Sequence, residues 1–127
     1  MEHEEHHEEL ISEISNIYSP ILDNSSQAIY IYLDDHHKVC NKKFASLLGY
    51  KSPKEWAESR SSFTDLFVDS KSQNALVSAY KNAMEHQAAS QVDITWKSKN
   101  GKPVRTKVIL VPIIYNSHIF ALHFVYQ

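Results

Sequence analysis

The sequence is poor in glycine, proline and cysteine, and these shortages exclude several kinds of protein. Its 127 residues include two glycines, four prolines and one cysteine. Two glycines are too few for the glycine-rich loops that cradle phosphates, and the glycine-flanked serine of esterases is absent. The lone thiol, Cys40, cannot form an intramolecular disulfide, which indicates a cytoplasmic setting. We expect Cys40 to be a buried, inert thiol, because free cysteine packs as a small hydrophobe.

The sequence also lacks an excess of charge of one sign and long apolar runs. Lysine and arginine number 13 against 15 aspartates and glutamates, a formal charge of −2. Without a basic excess we expect no nucleic-acid partner. Apolar runs such as residues 108–115 fall short of the roughly 20 residues of a membrane span. The acidic, histidine-rich start is unlike a signal peptide, so we expect this segment neither to be exported nor to insert into a membrane.

Apolar residues recur at helical spacing in the first part of the chain. Leu10, Ile14, Ile17 and Ile21 are separated by four, three and four positions, which places them on one face of a helix. Pro20 lacks an N–H group and is predicted to end or kink this helix. Two arrangements fit the stripe: packing on the chain's own body, or packing against a second copy in a homodimer.

The rest of the chain shows short strand patterns at both ends and helical patterns between them. Strands are predicted at residues 28–33, 38–40, 91–97, 104–111 and 118–126, with the longest helix at 69–87. This order predicts an α+β fold with a single five-stranded antiparallel sheet and helices on one face. The last strand is apolar on both sides, so we expect the N-terminal helix to cover the outer face of the sheet.

Two stretches resemble the sequence pattern of PAS domains. Residues 39–50, Val-Cys-Asn-Lys-Lys-Phe-Ala-Ser-Leu-Leu-Gly-Tyr, resemble the pattern in which an asparagine closes the second strand and an apolar helix ends in Gly-Tyr. Residues 96–104 are similar to the PAS hairpin, with Asn100 where many members have aspartate. The resemblance covers residues 21–127, and residues 1–20 look like the amphipathic flanking helix that often precedes such domains.

The resemblance implies a sensory or interaction module of a signalling protein, such as a sensor histidine kinase of a two-component system. In that family a cavity between the sheet and the helices holds haem, flavin, a small metabolite or nothing, and signals pass through flanking helices, homodimerisation and neighbouring signalling domains. Because the sequence has no recognisable catalytic motif, we expect no enzymatic activity. The alternatives are a haem- or flavin-binding PAS sensor and a small cone-shaped enzyme of isomerase type. Asp93 argues against the enzyme, because it lies opposite the apolar face of its strand.

Alternating apolar positions identify the side chains that face the helices. The strand at 28–33 alternates tyrosines with aliphatic residues, so its inward face stays undecided. Elsewhere the inward residues either line a ligand cavity or fill the core, with a few hydroxyl and indole groups as polar contacts. The candidate set is Phe44, Leu48, Phe67, Leu76, Tyr80, Ile94, Trp96, Thr106, Val108, Leu110 and Leu122.

The histidines provide few candidate ligands. His86 is the histidine of the long helix and the one candidate haem ligand, but we favour a solvated helix end. His3, His6 and His7 have the helical spacing of a zinc chelate. A solvated terminus is the favoured interpretation, so no metal site is predicted there. The histidine pair 36–37 is interpreted as a surface turn with no further ligand nearby.

Overall fold

The computed structural model describes the backbone of residues 2–127 and the side chains of residues 6–127. Two helices precede a pair of strands, four helices follow, and three strands end the chain. The elements are α1 (Glu2–Ile17), α2 (Ser19–Asn24), β1 (Ala28–Asp34), β2 (His37–Cys40), α3 (Lys42–Leu47), α4 (Pro53–Ala57), α5 (Phe63–Phe67), α6 (Gln73–His86), β3 (Ser90–Lys97), β4 (Pro103–Tyr115) and β5 (His118–Tyr126).

The strands form one antiparallel sheet in the order β2-β1-β5-β4-β3. The last strand therefore lies in the centre and joins the first hairpin to the C-terminal meander, with Tyr30 of β1 paired to His123 of β5. The predicted α+β fold with a single five-stranded antiparallel sheet is confirmed.

Asn41 links the first hairpin to the helices. Its side-chain oxygen accepts hydrogen bonds from the backbone N–H groups of Phe44 at 3.0 Å and Ile29 at 3.1 Å. Its side-chain amide donates to the backbone carbonyl of Gln27 at 2.7 Å. The first bond caps α3, because it satisfies an N–H group that has no partner within the helix. The other two fix the start of β1 beside that cap.

The N-terminal helices cover the outer face of the sheet, as expected. Four of their side chains form one buried cluster with residues of β1 and β5. The break predicted at Pro20 is also present, since α1 ends at Ile17 and α2 begins at Ser19. The cluster consists of Leu10, Ile11, Ile14 and Leu22 packed on Ile29, Ile31, Leu33, Phe120 and Leu122.

The apolar stripe is divided between packing and exposure. Leu10 and Ile14 are each 1% exposed, whereas Ile17 is 54% and Ile21 is 44% exposed. Packing on the chain's own sheet therefore uses the first two residues and leaves the other two at the surface.

The placement of Leu122 on the inward face was wrong. It lies in the outer cluster beneath the N-terminal helices, and β5 instead turns Ala121 and Val125 toward the α3–α6 side. Apolar residues occupy both faces of this strand, so its sequence carried no alternation to show which set faces inward.

Candidate functional site

Most of the predicted cavity residues pack into an aromatic core. The ring of Tyr30 lies 4.7 Å from that of Phe44, and the ring of Phe44 lies 5.4 Å from that of Trp96. Trp96 donates its indole N–H to the hydroxyl of Thr106 at 2.8 Å, and this hydroxyl donates to the carbonyl of Ile94 at 2.9 Å. This cluster contains eight predicted cavity residues, Phe44, Leu48, Phe67, Leu76, Ile94, Trp96, Val108 and Leu110.

A cavity of about 230 Å³ lies beside this core, between β1, β5, α5, α6 and the loop before α5. Leu76 and Tyr80 are the members of the predicted set that line it. Its wall combines three tyrosines, a histidine and a carboxylate with apolar side chains. The lining residues are Tyr30, Tyr32, Asp35, Ser62, Phe63, Thr64, Leu76, Val77, Tyr80 and His123.

Asp35 organises the polar side of the cavity. Its carboxylate accepts a hydrogen bond from the hydroxyl of Tyr32 at 2.7 Å and from the backbone N–H of Phe63 at 3.2 Å. Burial is the main cause that raises the pKa of Tyr80 above its usual value, and the negative charge of the nearby aspartates raises it further. Burial and the bond to Asp35 likewise raise the pKa of Tyr32. Both phenols therefore stay protonated and can donate hydrogen bonds at neutral pH.

Tyr30 contributes a buried hydroxyl without a partner. The residue is fully buried, and its hydroxyl makes no hydrogen bond with the described residues 6–127. Burial raises the pKa of this phenol well above its ordinary value, so the group remains a donor. A buried donor without a partner is costly, and Tyr30 is one of the residues that line the cavity.

His123 lines the cavity as a neutral imidazole. Its ring stacks on Tyr30 with 3.8 Å between centroids and 10° between planes. Its Nδ1–H donates to the carbonyl of Ala121 at 3.0 Å. The residue is 2% exposed, and burial lowers its pKa to about 3. It can offer hydrogen bonding and stacking to a ligand, but no positive charge at neutral pH.

Sequence reasoning did not assign Tyr30, Asp35 and His123 to the cavity. β1 and β5, which carry Tyr30 and His123, are apolar on both faces, so the sequence did not show which of their side chains face inward. Asp35 lies in a polar turn, and such a turn by itself indicates only solvent exposure. The one available signal was the tyrosine alternation of β1, which fits either orientation.

A second polar cluster lies on the outer side of the β1–β2 hairpin. Nδ1 of His7 donates to one carboxylate oxygen of Asp34 at 2.6 Å, and Nδ1 of His37 donates to the other at 2.7 Å. Burial by itself would raise the pKa of Asp34, but the bonds from the two histidines outweigh it and lower that pKa. Glu8 places a carboxylate oxygen 3.5 Å from Nε2 of His37.

The interpretation of residues 36–37 as a surface turn without nearby ligands was wrong for His37. His37 is 4% exposed, whereas His36 is exposed. An irregular pairing between Tyr32 and Asp34 shifts the register of the hairpin, so that His37 pairs with Asp34 beneath α1. The chelate spacing that includes His3 falls in part outside the residues whose side chains are described.

The other candidate ligands lie away from the cavity. His86 is exposed at the end of α6, which agrees with the expected solvated helix end. It is not among the residues that line the cavity. Cys40 is buried, and this burial raises its pKa to about 12. A thiol with so high a pKa is unreactive at neutral pH, which agrees with the inert role expected for it.

Comparisons by sequence find no matching family model and no matching curated protein. Solved structures do match. A PAS domain from Colwellia psychrerythraea has a TM-score of 0.70 at 19% identity, covering 90% of this chain and 96% of that one. A PAS domain from a two-component sensor histidine kinase has a TM-score of 0.65 at 12% identity, covering 90% and 96%. The Drosophila melanogaster Cycle PAS-B domain with bound ethylene glycol has a TM-score of 0.63 at 13% identity, covering 77% and 96%.

The chain therefore has the fold of a PAS domain, as its sequence pattern indicated. Along the described part of the chain, no helix combines the length and the apolar character needed to cross a bilayer.

Proposed function

We propose that the chain is a sensory module of PAS type in a signalling protein and that its cavity binds a compact, polar ligand. The observation that carries the proposal is the buried hydroxyl of Tyr30, a residue of the cavity wall, which has no partner among the described residues 6–127. Similar folds include a PAS domain of a sensor histidine kinase, which favours signalling over catalysis.

The size of the cavity favours a small molecule over haem or flavin. About 230 Å³ is the space of roughly seven waters at ~30 Å³ each. Pockets for drug-sized ligands measure about 300–1,000 Å³, and a porphyrin or flavin ring would have to displace the aromatic core. His86 also lies outside the cavity wall, where it cannot serve as the axial ligand of a group bound there.

The lining groups favour a ligand with hydrogen-bond donors. Asp35 is the one formally charged group among the lining residues at neutral pH, because His123 is neutral. A carboxylate attracts an ammonium or hydroxyl group and repels an anion. The tyrosine hydroxyls can meet an ether or hydroxyl oxygen. The ethylene glycol in the Cycle PAS-B structure has the size and chemistry of such a ligand.

The cavity proposal can be tested by titrating the ¹⁵N-labelled protein with ethanolamine and ethylene glycol while recording amide spectra. We expect shifts at the amides of Tyr32, Tyr80 and His123 and none with acetate at equal concentration. Leu76→Phe fills the cavity and should abolish these shifts, whereas Leu66→Phe, at an exposed position away from the wall, should retain them. Shifts that survive in Leu76→Phe, or that are absent in the wild type, contradict the proposal.

We further propose that the chain forms a homodimer through the exposed part of the N-terminal stripe. Ile17 and Ile21 are exposed large hydrophobic residues that continue the buried stripe. Exposed apolar groups of this kind favour contact with another protein surface. Ile14 is unsuitable as a probe, because it is 1% exposed and its replacement by aspartate would detach α1 from the sheet.

The dimer can be tested by light scattering coupled to size exclusion. The wild type should show twice the chain mass of 14.6 kDa, and Ile17→Asp with Ile21→Asp should show the single mass. Ser12→Asp with Asn16→Asp is the matched control, since it adds the same two charges at exposed positions of α1. A wild-type protein of single mass, or a double variant of unchanged mass, would rule out this interface.

A further inference from the structure

Three side chains that can bind a metal converge from separate parts of the chain on the outer side of the first hairpin. His7 comes from α1, Asp34 ends β1 and His37 begins β2. One ligand atom from each lies within 4.8 Å of the others. We propose that these three residues form a binding site for a divalent transition metal of the zinc class, which ties the N-terminal helix to the hairpin.

The ligand set fits zinc in kind and in number. Two imidazoles and one carboxylate are ligands that zinc binds in proteins, and three protein ligands leave the fourth tetrahedral position open. Ligand atoms around tetrahedral zinc lie about 3.3 Å apart for bonds of about 2.0–2.1 Å. The separations in the structure, within 4.8 Å, exceed this spacing by about 1.5 Å at most.

The hydrogen bonds around His37 suit a metal bound at Nδ1. The Nδ1 atoms of His7 and His37 lie 2.6 and 2.7 Å from the two carboxylate oxygens of Asp34, so these are the atoms that converge. A metal at Nδ1 of His37 takes the place of the proton there, and the neutral ring then carries its proton on Nε2. This nitrogen is buried, makes no hydrogen bond with residues 6–127, and lies 3.5 Å from the Glu8 carboxylate oxygen, which can accept that N–H.

Further donor groups surround the three residues. The ring of His118, at the start of β5, lies 5.4 Å from that of His7 and 4.9 Å from that of His6. His118 and His6 are therefore candidates for the open fourth position. Asp34 and Glu8 bring two negative charges to a site whose imidazoles are neutral ligands, so the local field attracts a divalent cation.

The site joins segments that are distant in sequence. His7 and Asp34 are 27 positions apart, and a metal between them would fix α1 against the β1–β2 hairpin. The metal site itself does not depend on the cavity or on any ligand in it. Its importance for signal relay rests on the proposed function, in which the N-terminal helix carries the signal.

The test uses the full chain after treatment with a chelator. Zinc is added in a calorimetric titration, and cobalt(II) is added while visible absorption is recorded. We expect one metal per chain and the intense visible bands of four-coordinate cobalt. Loss of an outer-shell partner typically weakens metal binding by about 10–100-fold. We expect a larger loss of zinc affinity from each ligand substitution, namely His37→Gln, Asp34→Asn and His7→Gln. His36→Gln, in the same turn but outside the cluster, should bind zinc as the wild type does.

Three results would overturn the proposal. The proposal fails if the wild type binds neither metal. Zinc binding that is lost in His7→Gln but retained in His37→Gln would show chelation along α1 by its own histidines. Equal affinities in Asp34→Asn and the wild type would exclude the carboxylate. Circular dichroism checks folding, and Asp34→Asn, which preserves side-chain shape, decides the matter if His37→Gln does not fold.

Discussion

Mild acid should destabilise the protein through His123. This imidazole is 2% exposed, and its burial lowers its pKa from the ordinary 6.5 to about 3. Above pH 6.5 the ring is neutral in both the folded and the unfolded state. As the pH falls from 6.5 to 3, the unfolded chain takes up a proton that the folded protein excludes. Stability must therefore decrease across this window, and the contribution is fully lost below pH 3.

The size of the effect follows from the shift of this pKa. Each pH unit within the window changes the free energy of unfolding by about 1.4 kcal/mol for one proton. Between pH 6.5 and 4.5 the loss amounts to about 2–3 kcal/mol, and at pH 3 to about 5 kcal/mol. Because small domains are stable by about 5–15 kcal/mol in total, this one residue can decide whether the protein survives acid.

Urea unfolding of the wild type and of His123→Phe at pH 7.0, 5.5 and 4.5 measures this effect. Phenylalanine keeps the ring stacked on Tyr30 but cannot bind a proton. It also loses the hydrogen bond to the carbonyl of Ala121, which should cost about 1–2 kcal/mol at pH 7. The deficit of the variant should then shrink as the pH falls and reverse between about pH 6 and pH 5, so that the variant is the more stable protein at pH 4.5.

The contributions of other titrating groups to the pH dependence of stability cancel when the two proteins are compared. Asp35, Tyr32 and Tyr80 line the same cavity and are present in both proteins. His86→Gln, at an exposed helix end, should follow the wild-type curve at every pH. Parallel pH dependences of the wild type and His123→Phe would refute the reasoning, because they would show that His123 takes up its proton equally in both states.

Five further substitutions test individual contacts by urea unfolding at pH 7. Tyr30→Phe removes a buried hydroxyl that has no partner among residues 6–127 and should leave stability unchanged or raise it by about 1 kcal/mol, whereas Tyr32→Phe breaks a hydrogen bond and should lower it. Asn41→Ala removes a helix cap and two further bonds and should cost about 2–4 kcal/mol, and a loss below 1 kcal/mol would contradict this role. Ile14→Ala should cost about 2–5 kcal/mol and Ile17→Ala less than about 0.5 kcal/mol, and equal losses would place α1 differently.

The sequence was informative where its pattern was local. The cap at Asn41 and the break at Pro20 follow from single side chains and their immediate neighbours. Strands β3 and β4 alternate between apolar and polar residues, so the inward positions of Ile94 and Val108 could be assigned. The apolar character of β5 on both faces even indicated that a second layer covers the sheet.

The sequence was uninformative where a feature depends on how two distant segments meet. Strands buried on both faces have no alternation, which is why Leu122 was assigned to the wrong side and the orientation of Tyr30 stayed open. Likewise, whether large side chains fill a core or leave a cavity depends on packing that spacing does not encode. His7 and His37 are ordinary polar residues in the sequence, and only the docking of α1 places both beside Asp34.

Two consecutive aspartates connect the cavity with the proposed metal site. Asp35 holds the hydroxyl of Tyr32 at the cavity wall, while Asp34 holds His7 and His37 on the outer side. A cavity ligand that competes for Asp35 must disturb the turn that positions Asp34, and a metal on Asp34 must restrict the same turn. Because coupling between two binding equilibria is reciprocal, zinc should change ethanolamine affinity by the same factor by which ethanolamine changes zinc affinity. Calorimetric titration of each in the presence and absence of the other measures both factors. Unchanged affinities in both directions would show that the turn holds its two carboxylates independently, and the outer cluster would then have no part in sensing the cavity.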